Sequence, residues 1–243
     1  MLGEFIDVAI LGKISKKGVY TGYITRCEDK KYKRNSIVVF SRTNLPDIAH
    51  CTVIATTQLS SNIKFIAAPS GQIFYEPEIK DLLKEVRNVR YQKLTCLYEK
   101  SCGAIVFHRF NDGIKVLLVK NHNGKYWSFP KGHMEKNENE HQTAAREIKE
   151  ETGLTVHFYD NYRQISDYVP FGKIKKRVVF FLAEAKVANV KIQKSEIDLY
   201  TWVSFEDAQK MCKYDNDLRV LKKAENMINL YDSKIIKKTA EKN

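Results

Sequence analysis

Cysteine is sparse and carries no pairing pattern. Cys27, Cys51, Cys96, Cys102 and Cys212 make an odd set without a Cys-x-x-Cys pair. Neither a disulfide framework nor a cysteine zinc site is expected, and a reducing compartment fits. No apolar run approaches the ~20 residues that span a bilayer. The N-terminus, Met-Leu-Gly-Glu-Phe-Ile-Asp, lacks the basic segment and apolar core of a signal peptide. A cytoplasmic protein without a membrane partner is expected. Internal repeats and low-complexity segments are absent, so nothing points to a repeat array or a tail. The first ~90 residues also lack any catalytic constellation.

What remains is basic and able to fold. The chain has 243 residues, 43% hydrophobic, with a formal charge of +12. That supports a packed core and argues against wholesale disorder. The positive charge favours polyanionic ligands, nucleotides and RNA among them, although lysine-rich surfaces also serve solubility.

The hydrophobic pattern changes along the chain. Ile6–Leu11, Val19–Thr25, Ser36–Phe40, Thr52–Thr56 and Ile63–Ala68 are short apolar or β-branched runs separated by turns, which predicts a mostly β domain over residues 1–90. Ile79, Leu82, Leu83, Val86, Val89 and Leu94 recur near helical spacing. They predict a helix from Glu76 to about Glu99, with residues 91–100 as a helical linker. A second domain, 101–243, opens with strands at Cys102–His108 and Ile114–Lys120 around an Asn111-Asp112-Gly113 turn. Arg177–Glu184 and Ile197–Val203 read as further strands. Ser204 reads as an N-cap for a helix over Phe205–Cys212. A final helix is expected from about Asn216 to Tyr231, with a frayed lysine-rich end from Ser233.

One segment carries chemistry. Asn139 to Thr152 has two alanines, no proline and no glycine, so it reads as a helix that Gly153 stops. Glu147, Glu150 and Glu151 stand at i, i+3 and i+4, which aligns three carboxylates on one face. Like charges so close destabilise a bare helix, and a divalent cation would reverse that cost. Hard oxygen donors suit magnesium or manganese better than zinc. Ala145 and Ile148 are expected to pack inward on the opposite side. The competing reading is a solvated acidic face with Arg146 and Lys149 as local partners.

The wider pattern weighs against that competing reading. Gly132, Glu138, Arg146-Glu147-Ile148, Glu150-Glu151 and Gly153-Leu154 resemble the Nudix box of the Nudix hydrolases at every defining position. The chance of such a match is on the order of 10⁻⁹ per starting position at average residue usage. The resemblance covers about Ser101 to Ser233 and implies an α+β Nudix fold, a mixed sheet between helices. It also implies magnesium, or manganese, held by Glu147, Glu150 and Glu151 with a backbone carbonyl of Lys131 or Gly132. Glu138 and Arg146 are expected to scaffold the loop, with metal binding also open to Glu138. The family often places a further acid outside the box, where Glu196 stands and Asp198 is the spare. Glu147, Glu151 and Glu196 compete for the role of general base.

The flanks rank subfamilies. Trp127-Ser-Phe-Pro130-Lys131-Gly132-His133 is similar to the W-x-x-P-K-G-H segment of asymmetric dinucleoside tetraphosphate hydrolases. RNA pyrophosphohydrolases carry a related stretch. Trp127 reads first as core; it and His133 are also substrate candidates. Tyr168, Lys173 and Lys175 lie in a basic aromatic loop, Tyr168–Arg177, which the same resemblance implies for polyphosphate and base binding. In the first domain, Tyr20-Thr-Gly22-Tyr23-Ile24 resembles a segment of the soluble inorganic pyrophosphatases. The aspartates of that family are missing, which implies a degenerate copy; an unrelated β module is the alternative. The expected activity is hydrolysis of diadenosine tetraphosphate to ATP and AMP. The alternatives are removal of pyrophosphate from RNA 5′ ends, and a nucleotide-sensing or RNA-binding module.

Overall fold

A computed structural model describes residues 1–87, 90–170 and 172–240. The chain divides into two compact units, Met1–Glu99 with Tyr168–Lys176, and Lys100–Asp167 with Arg177–Asn243.

Unit one is a β-barrel. Its strands are β1 (Phe5–Ser15), β2 (Val19–Arg26), β3 (Ser36–Phe40), β4 (Ile48–Leu59) and β5 (Asn62–Pro69). They pair in the order β1-β2-β3-β5-β4, and β4 returns to β1. The β3–β5 pair is parallel and the others are antiparallel. This closed Greek-key order is that of an OB-type barrel. Period-two alternation fills it: Ile6 and Val8, Tyr20 and Ile24, Ile37 and Val39, and Cys51 and Val53 all point into one cluster. A second cluster gathers Phe40, Ile54, Ile66 and Phe74 with Ile79 and Leu83 of helix α1 (Glu76–Leu83).

Here the structure corrects the expected helix. It ends at Leu83, and Lys93–Cys96 is a strand, β6, not part of a helical linker. Leu94 lies opposite Thr57 and Cys96 opposite Ala55 on β4. The free edge of β4 beyond its β1 pairing takes these residues as a strand, and that tertiary demand overrides a helical spacing. Val89 lies outside the described residues.

Unit two is a sheet with helices on both faces. Its elements are β7 (Tyr98–Phe110, whose first two residues group with unit one), β8 (Gly113–Asn121), β9 (Trp127–Ser128), β10 (Lys131–His133) and α2 (Glu140–Thr152). Then come β11 (Val156–Tyr168), β12 (Lys175–Ala185), β13 (Ile197–Val203), α3 (Phe205–Met211) and α4 (Asp215–Ala240). The main order is β11-β12-β7-β8-β13; β10 pairs with β7 and β9 with β8. The apolar run in β12 explains the layering. Val178, Phe180 and Leu182 face the cluster that includes Phe205 of α3 and Leu221 and Ile228 of α4. Val179, Phe181 and Ala183 face the cluster containing Ala144 and Ile148 of α2. A strand buried on both faces reads as continuous hydrophobic sequence. The α+β class expected from sequence is what the chain adopts.

Three local expectations need correction. Ala144, not Ala145, packs inward from α2; Ala145 is exposed. β11 was not anticipated, because it is an edge strand with many polar residues and a left-handed residue, Asn161, in its middle. The last helix continues past Tyr231 to Ala240 rather than fraying at Ser233. Nothing between Asp215 and Ala240 is Pro or Gly, and Asp232 pairs with Arg109 at 2.9 Å. No helix among the described residues is long and apolar enough to cross a membrane. All five cysteines are free.

Candidate active site

The site is built around α2. Asn139 caps it by accepting a hydrogen bond from the Gln142 amide, and the Gln142 side chain accepts from the Asn139 amide, both at 2.9 Å. Gly153, at φ 72°, closes the helix with its N–H on the Lys149 carbonyl. With both ends fixed, the helix presents Glu147 and Glu151 beside the strand Lys131–His133.

These two carboxylates are buried, Glu147 at 7% exposure and Glu151 at 2%. Oxygens of Glu147, Glu151 and Glu196 lie within 4.8 Å of one another. Glu196 is exposed and precedes β13; its carbonyl accepts from the His122 amide at 2.6 Å, and Gln193 donates to its carboxylate at 3.2 Å. The Lys131 amide donates to Glu151 at 3.0 Å. Gly132 lies so close to Glu147 that a Cβ there would collide with the carboxylate. The glycine leaves that carboxylate its present place, and a side chain here would displace it.

Burial outweighs the neighbouring positive charge and shifts both acids. Desolvation pushes Glu151 up to about 7, against the Lys131 charge and amide, while Glu147 and Glu196 raise it further. Desolvation also raises Glu147, although the Arg146 guanidinium opposes it. Three acids so placed are a poor arrangement for an empty protein. They fit a hard divalent cation, whose charge would offset the desolvation.

Arg146 organises the rest. It donates to Glu138 through Nε at 2.6 Å and Nη2 at 3.0 Å, to Glu147 at 2.8 Å, to Glu150 at 2.9 Å and to the His133 carbonyl at 2.9 Å. Glu138 also accepts from Thr143 and the Glu135 amide, and the hydrogen bonds from Arg146 hold its carboxyl down at about 2. Arg146 thus ties Glu138, Glu147, Glu150 and the His133 carbonyl together. Glu150 lies outside the three-acid group and is tied to Arg146. Asp198, the spare, is held by His122 at 2.7 Å and the Asn123 amide at 3.1 Å.

Trp127 is partly buried against the cluster containing Phe129 and Phe180, in keeping with a packing role. His133 is exposed on β10, opposite Ser101. Tyr168, Lys173 and Lys175 belong to the segment grouped with unit one. There the Lys175 amide donates to the Leu97 carbonyl at 2.8 Å, and its ammonium lies 5.7 Å from the Tyr98 ring. Phe171 of that loop lies outside the described residues. Sequence reasoning missed Gln193, His122 and an edge-on pair of exposed tyrosines, Tyr126 and Tyr214, with ring centroids 5.6 Å apart. Nothing in the sequence distinguishes such a pair from surface tyrosines 88 positions apart.

Comparison with known proteins decides the family. A NUDIX domain model matches residues 100–224. The chain belongs to the NUDIX family. An asymmetrical bis(5′-nucleosyl)-tetraphosphatase of Mus musculus is 35% identical to this NUDIX chain over 126 residues, covering 47% of it and 85% of the relative. An mRNA-decapping enzyme subunit 2 of Saccharomyces cerevisiae is 33% identical over 115 residues, 46% of this chain and 12% of that protein. Among solved structures, a binary complex of a C. elegans Ap4A hydrolase aligns with a TM-score of 0.51 and 26% identity, over 54% of this chain and 98% of the other. The chain is therefore a Nudix hydrolase with bis(5′-nucleosyl)-tetraphosphatase homologues.

Proposed function

We propose that this Nudix hydrolase cleaves a dinucleoside polyphosphate, diadenosine tetraphosphate to ATP and AMP, with magnesium as cofactor and manganese as a substitute. The observation that carries the metal-dependent reading is the cluster of Glu147, Glu151 and Glu196 within 4.8 Å. The substrate rests on the tetraphosphatase relatives and on the W-x-x-P-K-G-H segment. A divalent ion held by Glu147, Glu151 and Glu196 would neutralise phosphate charge and lower the pKa of water.

The chain's own groups do the remaining work. Arg146 and the Lys131 amide hold Glu147 and Glu151 in fixed orientations. Glu196 is the acid with solvent on one side, so it takes a proton from the attacking water. The water oxygen bonds to phosphorus as the anhydride oxygen leaves with its electron pair. Catalysis is then mainly positioning and charge stabilisation. His133 is a candidate for the edge of the substrate. The free cysteines fit a cytoplasmic setting.

A second reading, removal of pyrophosphate from RNA 5′ ends, draws on the similarity to the decapping subunit and on the +12 charge. Product analysis with magnesium, diadenosine tetraphosphate, triphosphorylated RNA, nucleoside triphosphates and ADP-ribose separates the two. ATP plus AMP from the dinucleotide supports the first. Pyrophosphate release from RNA alone supports the second. Nucleotide binding without turnover supports a sensor.

A further inference from the structure

We propose that the barrel of unit one carries a binding groove for the phosphate backbone of single-stranded nucleic acid, independent of the hydrolase site. The groove has a volume of about 500 Å³ and lies where the β1–β2 turn meets the chain leaving β3. Its cations are Lys13, Lys16, Lys17 and Arg42, and none of its lining residues is acidic.

The charges are unequally committed. Lys17 pairs with Glu85 at 2.8 Å and Arg42 with Glu78 at 2.7 Å. Lys13 and Lys16 have no ion pair among the described residues; the Lys13 ammonium lies 5.4 Å from the Tyr20 ring. Thr43 and Asn44 add hydroxyl and amide groups of the kind that bond phosphate oxygens, while the buried Ser41 hydroxyl is spent on the Thr43 carbonyl at 2.7 Å. The two segments are tied together, since the Ser41 amide donates to the Gly18 carbonyl at 2.8 Å and Gly18 donates to Ser15 at 3.1 Å. The cations are therefore mounted on a fixed frame.

Location strengthens the argument. OB-type barrels bind oligonucleotides over the β2–β3 face and the β1–β2 loop, and this groove occupies that loop. Fold alone does not give function. Here, however, the loop also holds two uncommitted lysines among neutral polar groups, which suits an extended anion tracked along its backbone. Such recognition tolerates any sequence and weakens steeply with salt.

The test is fluorescence anisotropy of a labelled oligouridine RNA with the full chain across a salt series. It compares wild type, Lys13→Glu with Lys16→Glu, and a control reversing Lys30 and Lys33, exposed lysines outside the groove. Circular dichroism confirms folding of each. The groove variant should weaken binding about tenfold at low salt. Its salt slope should fall by about 1.4, at about 0.7 per phosphate contact. The control should bind like wild type, and nucleotide hydrolysis should be unchanged in both. The proposal is overturned if wild type does not bind, if both variants lose affinity equally, or if the groove variant binds normally. It is also overturned if inorganic pyrophosphate at matched phosphate concentration displaces the RNA, since the groove would then take a free anion.

Discussion

Gly132 leaves room for the Glu147 carboxylate: a methyl group at position 132 would overlap it where it now stands. Gly132→Ala should therefore push Glu147 out of the three-acid cluster while β10 and α2 persist. A displacement of about 1 Å at a reacting centre costs about 10²-fold in rate. Steady-state kinetics should show that loss in kcat, with circular dichroism unchanged. Wild-type kcat would mean that Glu147 does not need its present position.

Glu151→Gln should separate activity from stability. Glu151 is a buried carboxylate raised to about 7, so its charge is costly in the metal-free protein. Turnover should fall by orders of magnitude, because an amide is a poor ligand for a hard divalent cation. The metal-free Tm near neutral pH should be equal or higher. A large drop in both would assign Glu151 to folding alone.

The same shift predicts a pH effect. The Glu151 carboxyl titrates near 7 when folded, against an ordinary 4.5. Its contribution to metal-free stability is thus fully present below 4.5 and is lost as pH rises through about 7, on the order of 3 kcal/mol. Magnesium needs the ionised form, so its stabilising effect should grow with pH. Thermal melts at about pH 5 and about pH 8, with and without magnesium, should show a larger metal-induced rise at the higher pH. An equal rise at both would contradict the assignment.

Arg146 and Glu138 predict the opposite trend. The arginine holds Glu138 down at about 2. That stability is present above the ordinary carboxylate value of 4.5 and is lost as pH falls towards 2. Glu138→Gln should cost about 2 kcal/mol at neutral pH and flatten the acid limb of the stability curve. Arg146→Lys cannot reproduce the fork to Glu138 together with the bonds to Glu147 and Glu150. It should lower both Tm and kcat. Chemical denaturation across the acid range checks the first prediction, and paired melting and kinetic data check the second.

The sequence disclosed some parts of this arrangement and hid others for physical reasons. α2 was legible because its signals are local: a helix-forming interior and Gly153 at the end. Helical spacing puts Glu147, Glu150 and Glu151 on one face, and the structure brings oxygens of Glu147 and Glu151 together with Glu196 while Glu150 pairs with Arg146. Spacing cannot show that Arg146, four residues earlier, draws Glu150 aside. Glu196 lies 45 residues after Glu151. Only a family resemblance could nominate it, because its position depends on backbone and side-chain bonds with His122 and Gln193. β6 and β11 were missed because a sheet edge fixed their conformation. The buried strands β7, β8 and β12 announced themselves through their own hydrophobic runs.

The most direct test of the account is turnover of diadenosine tetraphosphate by the purified chain with magnesium, wild type beside Glu151→Gln, with products resolved by chromatography. The account predicts equimolar ATP and AMP from wild type, abolished by a chelator and reduced by orders of magnitude in the variant. Undiminished turnover in Glu151→Gln, or turnover that survives the chelator, would contradict the three-acid metal site at its centre.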